Sequence, residues 1–338
     1  MTHAVKSKTI FIIGLLFISL LSSINIGNPR SATIEDESSP QTSGDASATD
    51  MVKPSKVDFS SSGMTVTEGI GSHTPLVVDV HDDMVCQGGF FSGNMDLSST
   101  VSHTAFGIEG YIYCKEGGDE LSFVFTPAKS NVAKVQDLMI LSSTHIMVVG
   151  TFMDGSKTGS FMSSIDTSGS SISITTSVIN HCSEDNNLRH FEILKMDGGL
   201  SESYAVGTIR NHDSSNKLCH HTSAPATVSP HSILTLASTN STSLTDTTNA
   251  KSFLVNFTSS AIGGVSLLKG DSVNTVHFSS VDYTEDGEVL VSYYLPGNGQ
   301  CTGFDTESGY YSWSDDVFAK QDRLCGENLK FRDLTKSG

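Results

Sequence analysis

Few side chains in this sequence stand at spacings that chemistry requires. The densest group of possible metal ligands is His212, Cys219, His220, His221 and His231, with His181-Cys182 upstream. His220 and His221 are adjacent, so the i, i+4 spacing that presents two ligands on one helical face is missing. Cys219 is expected in a disulfide, the histidines read as exposed loop residues, and no metal is assigned. Acid pairs occur at Asp82-Asp83, Glu184-Asp185 and Asp315-Asp316. Paired carboxylates hydrolyse glycosidic bonds when a fold holds them on either side of the bond. Here each pair sits among turn residues and nothing selects one over another. The chain has no G-x-S-x-G nucleophile elbow, phosphate loop or EF-hand pattern, so no catalytic or cofactor-binding residue is assigned.

The six cysteines are Cys86, Cys114, Cys182, Cys219, Cys301 and Cys325. An even number in a secreted chain reads as disulfides, and the absence of C-x-x-C argues against a zinc ribbon or a redox site. Sequential pairs are expected: Cys86–Cys114, Cys182–Cys219 and Cys301–Cys325. A long-range link such as Cys86–Cys325 is the alternative. Asn240-Ser241-Thr242 and Asn256-Phe257-Thr258 are N-glycosylation acceptors. Asn240 lies in a polar stretch, whereas Asn256 lies inside an expected strand and is reachable only if that face meets solvent.

The elements that would position these residues are strands. Charged residues make up only 17% of the 338 residues, and the abundant Ser, Thr and Gly suit short strands and turns better than helices. The net charge of −17 disfavours phosphate backbones and anionic lipid, so neither nucleic acid nor a membrane surface is expected as partner. Lys6 and Lys8 precede the apolar run from Ile10 to Leu21, and small polar residues follow. Residues 1–32 therefore read as a secretory signal, with a retained signal-anchor as the alternative. No membrane insertion is expected once the signal is cleaved. Residues 33–62 read as an acidic, Ser/Thr-rich disordered tether.

From residue 63 to 338 a four-beat rhythm recurs. Its clearest unit runs from Val135 to Ile179, with strands Val135–Leu141, Ile146–Phe152, Gly159–Asp166 and Ser171–Ile179. A preceding unit uses Leu76–Asp82, Val85–Phe91, Glu109–Lys115 and Glu120–Thr126. A following unit uses Phe191–Asp197, Ser203–Ile209, Ser252–Ser259 and Gly264–Leu268, split by an insertion at 210–251. The last unit covers Val281–Tyr294 and Cys301–Asp316, with turns at Asp286-Gly287 and Ser308-Gly309. Four antiparallel strands in under about fifty residues make one propeller blade. The fold class is all-β: a β-propeller of four recognisable blades, either five-bladed or a truncated larger ring. Met64–Glu68 is a spare strand that would complete the last blade and close the ring, and Val317–Leu334 is left over as incomplete sheet.

The order apolar strand, D-x-x-x-D-G turn, V-x-V-x-G strand, Gly-containing loop and apolar-x-apolar-D-x-S-G resembles the secreted β-propeller repeat family. Val281, Asp282, Asp286, Gly287, Val289 and Val291 carry the resemblance in the last unit. Val148, Val149, Gly150, Phe161, Asp166, Ser168 and Gly169 carry it in the clearest one. The resemblance implies an architecture without a shared active site. Asp305-x-x-Ser308-Gly309-x-x-x-Trp313 also resembles the tryptophan-docking motif of quinoprotein propellers. It occurs once and Trp313 is the only Trp, so it reads as a blade turn followed by a packed aromatic, with no quinone.

The expected function is a non-enzymatic secreted or cell-surface binding module for an extracellular protein or glycan, its oligomeric state open. The alternative is an extracellular carboxylate-dependent hydrolase or lyase acting on polysaccharide. The insertion from Arg210 to Lys251 is either the partner-binding loop or a tolerated surface insertion, and His231–Leu236 within it can add a strand.

Overall fold

The computed structural model describes residues 58–59, 64–65, 71–98, 100–128, 132–154, 157–181, 190–210, 217–237, 243–246, 250–258, 260–269, 276–284, 286–296, 306–315 and 317–326. The leader and Asn240 lie outside them, as do Cys182, Cys301, His212, Glu184, Asp185 and Asp316. No helix occurs among the described residues.

Strand β1 (Asp58–Phe59) pairs with β2 (Met64–Thr65) in the first of two compact units, Met1–Glu68. The second unit, Gly69–Gly338, holds four antiparallel meanders. The first is β3 (Gly71–His81), β4 (Met84–Asp96), β5 (Ser102–Glu116) and β6 (Asp119–Pro127). The second is β7 (Ala133–Ser142), β8 (His145–Asp154), β9 (Lys157–Asp166) and β10 (Ile172–His181). The third begins with β11 (His190–Gly198) and β12 (Ser203–Arg210). It is interrupted by β13 (Lys217–Thr222), β14 (Ala226–Val228), β15 (Ser232–Leu236) and β16 (Ser243–Asp246), then resumes with β17 (Ala250–Phe257) and β18 (Ile262–Lys269). The fourth is β19 (His277–Tyr283), β20 (Val289–Pro296), β21 (Thr306–Ser314) and β22 (Val317–Gly326).

The first strand of each meander carries one extra residue at the same place in its hairpin. The bulge falls on Leu76 in β3, Gln136 in β7, Leu194 in β11 and Ser279 in β19. Such a residue bends the strand and steps its inward face, which is why burial in β7 slips by one position at Asp137-Leu138. Opposite the residue before the bulge stands a glycine in three meanders: Gly89, Gly150 and Gly207. A Cβ on Gly150 would lie 2.3 Å from the Lys134 carbonyl oxygen and 2.5 Å from the Phe161 ring. On Gly207 it would lie 2.2 Å from the Glu192 carbonyl oxygen and 2.5 Å from the Phe253 ring. The phenylalanine of the third strand fills the room the glycine leaves. The fourth meander exchanges the two types, with Tyr293 on the second strand facing Gly309 on the third.

The meanders pack in chain order, the first strand of each against its predecessor: β7 on β3, β4 and β5, β11 on β7, β8 and β9, β19 on β11 and β12. The three seams are crossed by the same device. A first-strand aspartate accepts its own neighbour's N–H with one oxygen and the next meander's N–H with the other. Asp79 takes Val80 at 2.9 Å and Ile140 at 2.6 Å. Asp137 takes Leu138 at 3.1 Å and Met196 at 3.0 Å. Asp197 takes Tyr283 at 2.7 Å, and also the N–H of Gly198. Buried serines on third strands add a second clasp. Ser160 Oγ donates to the Phe191 carbonyl at 2.8 Å and accepts from Ile193 N–H at 2.9 Å. Ser252 Oγ does the same with Val276 and Phe278, at 2.8 and 3.0 Å.

The insertion turns back onto the earlier meanders. Strands β13 and β14 pair with β10, β16 pairs with β13, and β15 runs parallel to β6. Leu236 is buried in the core shared by the first three sheets, and Val228 and Leu234 pack against it. The segment His231–Leu236 therefore does add a strand, and the insertion covers the outer edges of two sheets that would otherwise offer unpaired backbone.

Two expectations are corrected. Ser308-Gly309 is not a turn; both lie inside β21, where Gly309 permits the close approach of the Asp322 carbonyl oxygen, 2.0 Å from where its Cβ would be. Residues Val317–Gly326 are a complete fourth strand rather than incomplete sheet. Met64–Thr65 pairs with Asp58–Phe59 in the first unit, and among the described residues of the second unit no strand pairing closes the meanders into a ring.

Candidate functional site

A cleft of about 320 Å³ opens between the third and fourth sheets. It is lined by Glu202, Tyr204, Asn256, Gly263, Gly264, Ser266, Trp313 and Asp315. Register builds one wall: Tyr204 on β12 pairs with Asn256 on β17, and Asn256 pairs with Gly264 on β18, so the three positions share a face. A Cβ on Gly264 would meet nothing within 4 Å, and the wall is open there. Trp313, near the end of β21, forms the opposite wall. Beyond it the β21–β22 turn carries Asp315 at φ 48°, a conformation that Asp tolerates better than most residues.

The aromatic rings are packed rather than loose. Tyr204 lies 5.6 Å from Trp313, edge to face, and 5.4 Å from Tyr283. Asn256 Nδ2 donates to Glu202 Oε1 at 2.6 Å, and the Tyr204 hydroxyl is hydrogen-bonded to the same carboxylate. Burial, then Glu202, pushes the Tyr204 hydroxyl upward, so it stays protonated. Glu202 is fixed from its own side by the β11–β12 turn, where Gly199 N–H donates to the Glu202 carbonyl at 2.8 Å. The indole Nε1 of Trp313 is buried and has no hydrogen-bond partner among the described residues. The cleft thus offers an aromatic surface, two carboxylates and an amide, with no Lys, Arg or His among its lining residues.

The structure separates the other residues singled out by sequence. His220 and His221 lie on β13 beside β10, whereas His231 belongs with β6, its Nδ1 2.7 Å from Ser122 Oγ. Among the described residues, His220 and His221 thus do not share a site with His231. Asp82 and Asp83 occupy the exposed β3–β4 turn. Cys86 and Cys114 face each other across β4 and β5, Cα atoms 4.0 Å apart, and form a disulfide. Cys219 and Cys325 are also disulfide-bonded. Asn256 faces the cleft with its amide engaged by Glu202. The most perturbed carboxylates, Asp137 and Asp197, are occupied by backbone N–H groups across the seams. Glu307 is likewise taken up, by the Tyr293 hydroxyl and the Lys320 ammonium.

Sequence reading missed Glu202, Tyr204 and Gly263-Gly264, and took Trp313 for a packed aromatic and Asp315 for a solvated acid. One signal was present: a Gly-Gly pair inside a strand marks a bulge or an open approach to the backbone. No protein-family model and no curated protein sequence matches this chain.

Proposed function

We propose that this chain is a secreted or cell-surface β-propeller-type module that binds an extracellular protein or glycan through the cleft between its third and fourth sheets. The observation that carries the reading is the cleft itself: aromatic side chains on strands β12 and β21, with an acidic side chain from each of the adjoining tight turns, Glu202 and Asp315. The propeller assignment draws support from the repeated unit, whose bulge, glycine–aromatic exchange and aspartate clasp recur in register from meander to meander. The polysaccharide hydrolase has less support, because the carboxylates with raised pKa already accept backbone hydrogen bonds. The test is display of the full chain against extracellular protein and glycan panels, alongside Trp313→Ala. Binding that is lost in the variant at unchanged melting temperature supports the proposal. Binding indifferent to Trp313 overturns the cleft as its seat.

A further inference from the structure

We infer that this cleft takes an organic cation, an ammonium or guanidinium group such as a lysine or arginine side chain presents. The inference rests on the binding reading above and names its ligand chemistry. Glu202 and Asp315 bring two negative charges to the cleft, and no basic side chain among its lining residues offsets them. The two donors that orient Glu202, the Asn256 amide and the Tyr204 hydroxyl, are neutral, so they fix the carboxylate without cancelling its charge. The part-exposed Trp313 ring adds to the same sign of potential, because an indole π-system is electron-rich and attracts cations, while Tyr204 is buried against Tyr283 and Trp313. The chain's net charge of −17 draws cations from farther away.

A neutral sugar would stack on Trp313 and donate hydroxyl hydrogen bonds to the carboxylates, but it would leave the charges of part-exposed Glu202 and exposed Asp315 unmatched. A cation matches them, and that difference favours the cation over the neutral ligand. The volume of about 320 Å³ suits one side-chain tip or one small amine rather than a length of polymer. Two sources supply such a group: a basic side chain on a partner protein, or a free small amine.

Trp313 is the only tryptophan of the chain, so intrinsic tryptophan fluorescence reports on this cleft alone. The full chain is titrated with tetramethylammonium, butylamine, N-acetyl-arginine amide, an arginine- and lysine-bearing peptide, and methyl glucoside, with calorimetry as second readout. Saturable binding of the cations is expected, weakening as salt is added. Glu202→Gln and Asp315→Asn should each weaken it roughly tenfold, a factor that corresponds to about 1.4 kcal/mol. Both substitutions keep the local geometry, since Gln still accepts from Asn256 and Asn tolerates the Asp315 backbone. Tighter binding of the peptide than of the small amines identifies a protein side chain as the source, and equal binding identifies free amines. Saturable binding of methyl glucoside alone overturns the cation while leaving the cleft a binding site. No saturable response to any probe by a chain of normal melting temperature overturns both readings.

Discussion

Burial pushes the Asp137 carboxyl up to about 6, against the opposing pull of Lys195 and of the Met196 and Leu138 N–H groups. Burial also raises Asp197 to about 6, with the nearby Asp282 adding to the rise. Each group therefore binds its proton more tightly folded than unfolded, where the value is near 3.8. Between about pH 4 and pH 6 the native state holds more protons, so stability falls as pH rises and the contribution is gone above about 6. Asp166, held low by Ser168, acts in the opposite sense but only below its ordinary range. These two carboxylates raise the melting temperature as pH is lowered from 7 to 5, against His73 and His220, which burial holds low and which act in the opposite sense. Asp137→Asn, which still accepts from Met196, should flatten part of that slope. A variant whose melting curve tracks the parent at every pH would show that the clasp is not the titrating group.

At the scale of elements, the insertion is a strap. Leu236 is 1% exposed in the shared core, while Ile233, three residues earlier on the same strand, is 51% exposed. Leu236→Ala is expected to cost ~2–4 kcal/mol, as buried leucines do, and Ile233→Ala less than about 0.5 kcal/mol. Equal, small losses in denaturant titrations would mean that β15 is not structural. The meanders themselves were legible because alternating Val, Ile and Phe announce a half-buried strand. So was the strap's strand at His231–Leu236, and so was the Cys86–Cys114 pair, from hairpin neighbourhood alone. The bulges were not, since one extra residue leaves the alternation on either side of it intact. Gly309 misled for a related reason. Glycine serves turns and close backbone approaches alike, and reading it as a turn cut β21 in two and left β22 without a place. The cleft was invisible because its residues come from β12, β17, β18, β21 and the β11–β12 and β21–β22 turns, which meet only through strand register within the third meander and packing of the fourth against it.

At the scale of the whole second unit, four meanders share one construction, but the strap makes them unequal in time. The third meander begins before the strap is synthesised and ends after it, and the strap's strands belong to sheets completed far earlier in the chain. While the ribosome is still making residues beyond 181, the first two meanders have all their own strands and two bare outer edges. Each of those edges is a template for the wrong neighbour. The chain thus covers the edges of its first two sheets only after reading well past its middle, and chaperone dependence should peak in that interval. Pulsed hydrogen exchange during refolding can time this. The outward N–H groups of β10 should gain protection together with β13, in one phase. Protection of β10 in an earlier phase than β13 would mean that the early sheets guard their edges by other means.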